Sequence, residues 1–111
     1  MTPEARSTVR VEVCALADLP LGAMCAAEAG PTGRLIVANV SGELRAFDGI
    51  CTHAYAELDK GYLRNGAVMC PLHFSEFDTR TGEALNPPAE EPLATYPVRV
   101  EGGKVVVEVP A

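Results

Sequence analysis

An all-β fold of antiparallel strands is what this chain predicts, and three observations carry that reading. Short runs of β-branched and aromatic residues alternate with polar ones. Two-residue turn signals join those runs at close intervals. No stretch sustains a 3.6-residue apolar period. In chain order, Val9, Val11 and Val13 alternate with polar or small residues, as a half-buried strand does. The Ala-rich segment Met24–Glu28 is compatible with a turn of helix or with an edge strand. Residues 34–40 and 43–47 flank Ser41-Gly42, a turn of hairpin type. Residues 62–64 and 67–70 flank Asn65-Gly66, the strongest hairpin signal in the chain, because both residues tolerate the positive φ of a type I′ turn. Residues 75–78 and 83–85 flank a turn at Thr81-Gly82. Residues 98–101 and 104–109 flank Gly102-Gly103, with Val98, Val100, Val105, Val107 and Val109 as an inward face. Hairpins of this kind pack as a small sandwich or barrel.

Composition sets the frame. The 111 residues predict one domain, 1–111, with a modest core. Apolar residues make up 48% and charged residues 22%, as in ordinary soluble proteins. No apolar run approaches the roughly 20 residues that span a bilayer. The first thirty residues lack a basic stretch followed by an apolar core, so no signal peptide is expected. A cytoplasmic location follows, with reducing surroundings for the four cysteines. The net charge of −6, from 15 acids against 9 bases, argues against nucleic acid as a partner. It suits steering toward a basic protein partner, or solubility alone. No internal repeat, low-complexity stretch or flexible linker is visible.

The chemistry lies in two limbs, Cys51-x-His53 and Cys70-x-x-His73, separated by the sixteen residues 54–69. Each limb brings one thiolate and one imidazole. Equal numbers of soft sulfur and borderline nitrogen donors suit zinc or a 2Fe–2S cluster. Zinc fingers usually group Cys with Cys and His with His, whereas each limb here is mixed. With two irons side by side, each limb places its Cys on one iron and its His on the other, so that two Cys hold one iron and two His the second. Buried apolar thiols, a Cys51–Cys70 disulfide and surface histidines are the structural alternatives. Cys14 and Cys25 lie far from the motif with no His nearby and read as small, partly buried apolar side chains.

At these residues the chain resembles the Rieske ferredoxin family. The likeness runs through residues 51–61 (Cys51-Thr52-His53 to Lys60-Gly61), through Cys70-Pro71-Leu72-His73, and on through Phe77-Asp78, Thr81-Gly82, Pro87-Pro88-Ala89 and Tyr96-Pro97-Val98. It covers roughly residues 35–109. The resemblance implies the Rieske fold, a β base with a small cluster-binding lobe inserted at about residues 49–88. It implies one 2Fe–2S cluster held by Cys51, His53, Cys70 and His73, with both histidines at the surface as the electron exit. Tyr55, Leu72, Phe74 and Pro87 then form the docking patch, and Asn86-Pro87-Pro88 resembles the proline loop that covers the cluster. Leu72, Ala54, Tyr55 and Phe74 are expected to surround the site with apolar bulk. Pro71 is expected to stiffen one ligand loop, and Gly61 to permit a turn after the other.

Departures set the redox poise. Rieske proteins of quinol-oxidising complexes carry an extra Cys in each ligand loop; Ala56 and Leu72 stand there, so that disulfide does not exist. Phe77 stands where those proteins use a Tyr hydroxyl, while the Ser position is kept as Ser75. Hydrogen bonds to sulfur favour the more negative reduced state. The expected potential is therefore in the lower Rieske range, roughly −150 to 0 mV, with Ser75 lifting it.

Both histidines are used by the cluster, so no site of two His and one carboxylate for oxygen activation can be built. No G-x-G-x-x-G follows a strand. The reading is an electron carrier and not an enzyme. The resemblance implies a ferredoxin that shuttles single electrons from a flavin-dependent NAD(P)H reductase to a terminal aromatic-ring dioxygenase. The alternatives are the small subunit of an assimilatory nitrite reductase and, in a different class, a zinc-binding structural module.

Overall fold

The computed structural model describes residues 8–52, 55–72, 74–87 and 89–110. Its ten strands are β1 (Thr8–Ala15), β2 (Met24–Glu28), β3 (Arg34–Val40), β4 (Glu43–Asp48), β5 (Tyr62–Arg64), β6 (Ala67–Met69), β7 (Glu76–Asp78), β8 (Thr95–Tyr96), β9 (Val98–Glu101) and β10 (Lys104–Pro110). The only helical pieces among the described residues are single 3₁₀ turns at Leu16–Asp18, Gly30–Thr32 and Leu58–Lys60. The chain is all-β. Its strands form three antiparallel sheets of order β1-β10-β9, β2-β3-β4-β8 and β5-β6-β7.

The second sheet is the middle layer, and its sequence says why. Along β3, Leu35, Ile36, Val37 and Ala38 are all fully buried. Successive side chains leave a strand on opposite faces, so an unbroken apolar run means that both faces are covered. Leu35 and Val37 pack with Val105, Val107 and Val109 of β10 in the core shared with the first sheet. Ile36 and Ala38 pack with Phe47, Leu58, Val68 and Phe77 in a second core, shared with the β5–β7 lobe. Neighbouring β2 is sorted the same way: Cys25 borders the first core, and Met24 and Ala26 the second. The Met24–Glu28 segment is thus an edge strand, paired to β3 from Met24↔Ala38 to Glu28↔Arg34.

The turns follow their residue chemistry. Ser41 and Gly42 have φ of 56° and 94°, and Asn65 and Gly66 have 53° and 80°, the left-handed geometry that two-residue hairpins require. Two expectations are corrected. Residues 83–85 form no strand; a single bridge, Phe77↔Ala84, stands there. Asn86-Pro87-Pro88 follows at once, and proline has no N–H to extend a ladder. Val100 shares the inward face of Val105 but stays 43% exposed, because β9 is an edge strand and Val100 lies at its rim.

The chain leaves the middle sheet after β4 and returns to it as β8, through Ala46↔Tyr96 and Phe47↔Thr95. Asp48 clasps both ends of this excursion. Its N–H donates to Ala94 O at 3.0 Å, and its carboxylate accepts the Ala94 N–H at 3.2 Å and the Tyr96 hydroxyl at 2.5 Å. Burial, then this bond, raises the Tyr96 hydroxyl pKa. A second tie is Arg45 of β4, whose Nη1 donates to Thr79 Oγ1 at 2.9 Å while the Thr79 hydroxyl donates to Gly66 O at 2.7 Å.

Candidate metal centre

Two loops of the excursion carry the ligand limbs, and they are closed in the same way. In the first, Ile50 and Glu57 form a bridge, and the Cys51 N–H donates to Ala56 O at 2.9 Å. In the second, Met69 pairs with Glu76, and the Cys70 N–H donates to Ser75 O at 2.8 Å. Each loop is therefore a six-residue ring in which Cys is the first residue after the ladder. The second ring is tightened by the Phe74 N–H donating to Cys70 O at 3.1 Å, with Phe74 at a φ of 61°.

Position in the ring sets burial. The first and last residues are held under the ladder: Cys51 is 4% exposed, Ala56 7%, Cys70 1% and Ser75 fully buried. Both cysteines belong to the core of Ile36, Phe47, Leu58, Val68, Phe77 and Ala89. The fifth residue of each ring, Tyr55 and Phe74, points outward, 92% and 58% exposed, and Leu72 is also exposed. These three do not wrap the site in apolar bulk as expected. Leu58, Val68 and Phe77 supply the apolar wall around the cysteines from beneath. Tyr55, Leu72, Phe74 and Pro87 do lie exposed, as the docking-patch expectation requires. His53, Ala54, His73 and Pro88 lie outside the described residues.

The proline segment is tied to both rings. The Thr52 hydroxyl donates to Glu91 O at 2.7 Å. The Ala89 N–H donates to Ser75 Oγ at 3.1 Å, and the Glu76 N–H to Asn86 Oδ1 at 2.6 Å. The Ser75 hydroxyl thus accepts one bond and, among the described residues, its proton has no acceptor. Gly61 closes the turn expected there, its N–H donating to Leu58 O at 3.0 Å, and it has a second task, since a Cβ there would lie 1.9 Å from Met69 O. It lets the segment after the first ring press against β6, which leads into the second.

A charged pair anchors the same segment. Arg34 Nε and Nη2 donate to the two Asp59 carboxylate oxygens at 3.0 and 2.9 Å. Those bonds hold the Asp59 carboxyl below its usual range against burial, which raises it. Sequence reasoning missed Asp48, Arg45, Thr52 and the Arg34–Asp59 pair, since each acts through a partner between 25 and 48 positions away. Cys14 and Cys25 are half-buried, and neither they nor Cys70 form a disulfide.

Two cysteines at matching ring positions offer two buried sulfurs from one core, and a buried serine hydroxyl ends the second ring. That donor set fits a sulfide-bridged iron pair held from beneath, provided nitrogen ligands complete it.

Comparison with known proteins agrees. Residues 9–97 match the model of the Rieske [2Fe-2S] domain. The chain is 42% identical over 102 residues to the 3-phenylpropionate/cinnamic acid dioxygenase ferredoxin subunit of Shigella flexneri serotype 5b (strain 8401), spanning 91% of this chain and 94% of that one. It superposes on a Sphingomonas yanoikuyae B1 ferredoxin with a TM-score of 0.85 at 35% identity, covering 92% of this chain and all of the other. The ferredoxin in the complex of reduced oxygenase and oxidized ferredoxin of carbazole 1,9a-dioxygenase gives 0.84 at 30% identity, covering 89% and 92%. The expected Rieske fold is the observed one. Among the described residues no helix is long and apolar enough to cross a membrane.

Proposed function

The chain belongs to the Rieske [2Fe-2S] domain family, and from that membership we propose that it is the ferredoxin component of an aromatic-ring dioxygenase system, carrying single electrons from a flavin-dependent NAD(P)H reductase to a terminal oxygenase. The observation that carries this is the 42% identity, over nearly the whole of both chains, to a dioxygenase ferredoxin subunit. The protein is not itself an enzyme. When bound, the cluster supplies one-electron storage.

The chain's own residues do the rest. Cys51 and Cys70 would hold the cluster through thiolates from the core, and His53 and His73 would complete its ligands with imidazoles. The matched rings support this assignment: both sulfurs start their rings under the ladder, while the described neighbours of the histidines (Thr52, Leu72 and Phe74) are exposed. The buried wall keeps water from the sulfurs and the exposed apex faces the partner. The surface that receives the apex is apolar, and the acidic chain favours a basic rim around it. The protein works in the cytoplasm.

The test is reconstitution. The red-brown protein, mixed with reductase and oxygenase of a ring-hydroxylating system, should restore NAD(P)H-dependent hydroxylation of the arene. His53→Ala and His73→Ala should each abolish the visible and reduced-state EPR spectra of the mixed-ligand cluster. Failure of every reductase to reduce an intact cluster would reject the role, and an unchanged spectrum would remove that histidine from the ligand set.

A further inference from the structure

Two thiols outside the metal centre face one another across the base. Cys14 lies near the end of β1, just after the register against β10 slips between Glu12 and Cys14. Cys25 lies on β2, the edge of the middle sheet. No ladder joins β1 to β2, which belong to different sheets, yet the two strands pack together. Both thiols are half-buried against the same core, and the Cys25 sulfur is near enough to help raise the Cys14 thiol pKa. The Cys25 thiol also directs a long 3.9 Å contact to Asp18 O.

We propose that Cys14 and Cys25 form a reversible intrachain disulfide by exchange with a low-molecular-weight disulfide, stapling β1 to β2 and so joining two sheets of the base. One protein thiolate attacks a sulfur of oxidised glutathione. A mixed disulfide forms, and one glutathione thiolate leaves and takes up the proton. The second protein sulfur, having lost its proton, attacks the protein-side sulfur of that mixed disulfide and expels the second glutathione. The two protein thiols lose two electrons, and the glutathione disulfide gains them as two thiols.

The placement meets the conditions for such a bond. Thiols that border one core on two strands packed together are placed for disulfide geometry with modest backbone movement. Half-burial leaves access for a tripeptide. Burial, then the neighbouring Cys25 sulfur and Asp18, push the Cys14 thiol up to about 12. The dithiol therefore persists at neutral pH and exchange is slow, because the thiolate is the attacking species. The staple also reaches the metal centre mechanically, since β2 packs against the Leu58–Lys60 turn that follows the first ligand ring.

The test uses the cluster-loaded protein, equilibrated anaerobically across ratios of reduced to oxidised glutathione and trapped with N-ethylmaleimide. Trypsin leaves both thiols in one peptide, residues 11–34. At the oxidising end that peptide should be lighter by two hydrogens and unlabelled; at the reducing end it should carry two labels. Cys14→Ser and Cys25→Ser should each abolish the lighter species while keeping the cluster absorbance. The oxidised wild type should bleach at a higher temperature than the reduced, a gap absent from both variants. Two labels at every ratio with the cluster intact would overturn the proposal. So would a glutathione adduct that stays on one cysteine.

Discussion

Replacing Ser75 by Ala separates a structural from an electronic contribution of one buried hydroxyl. Ser75 is fully buried, and its Oγ accepts the N–H of Ala89, itself 4% exposed. Removing the oxygen leaves that N–H without a protein acceptor, which costs about 1–3 kcal/mol. A domain of 60–100 residues loses about 4–8 °C of thermal midpoint per kcal/mol, so bleaching of the cluster absorbance in a fixed-rate scan should occur several degrees lower. The backbone carbonyl of Ser75, which closes the second ring, is untouched. The hydroxyl proton is the electronic half. If it donates to a cluster sulfur, it favours the reduced state, whose sulfurs carry more negative charge. A preference of about 1–2 kcal/mol between redox states corresponds to about 40–85 mV for one electron. Protein-film voltammetry on Ser75→Ala should then read a potential lower by that amount. A lower bleaching temperature with an unmoved potential means the proton points away from the sulfurs. If neither readout moves, the account of Ser75 as the tie between the second ring and the proline segment is wrong.

Two further perturbations test the supports of the rings. Gly61→Ala should lower cluster occupancy and bring the bleaching temperature down, because a Cβ set 1.9 Å from Met69 O must push back the strand that leads to Cys70. Overpacking of this kind costs about 1–3 kcal/mol; wild-type iron content and midpoint in the variant would refute the close-approach argument. Asp59→Asn removes the carboxylate that Arg34 holds below its usual pKa. A depressed carboxyl stabilises the fold fully above its unfolded pKa of about 3.9 and loses that contribution as pH falls through the folded value. The variant should therefore bleach at a lower temperature than wild type at pH 7, with the gap holding down to about pH 4 and narrowing only below it, as pH falls toward the folded value. A gap that stays constant or widens on that further acidification contradicts the pairing.

Much of the scaffold was legible because its signals are local. Asn65-Gly66 and Ser41-Gly42 name their turns by the φ values they tolerate, and the runs they join read as strands. The two ligand limbs were legible as chemistry, since mixed Cys and His on each limb is an unusual way to hold one metal ion. What the sequence hid acts at a distance or through backbone. Nothing around Gly61 in the chain indicates that Met69 O comes against it. Nothing marks Asp48 as the clasp of an excursion that ends near residue 96. Tyr55, Leu72 and Phe74 were legible as an exposed patch, but not as residues that leave the walling of the cysteines to Leu58, Val68 and Phe77 of the core beneath.

That ring geometry gives the two cysteines one common placement although their motifs are spaced unequally. The motifs read Cys-x-His and Cys-x-x-His, yet both loops close with the same bond, from the Cys N–H to the carbonyl five residues on. The cysteines are therefore equivalent, and the histidines fall at the third position of one ring and the fourth of the other. Ladder closure fixes the two cysteines in the core at equivalent positions. Moving a cysteine by one position would take its sulfur out from under the ladder. Hydrogen-bond register thus sets both cysteines, and an insertion that moves either one relative to its ladder should lower cluster occupancy, read as iron content per protein.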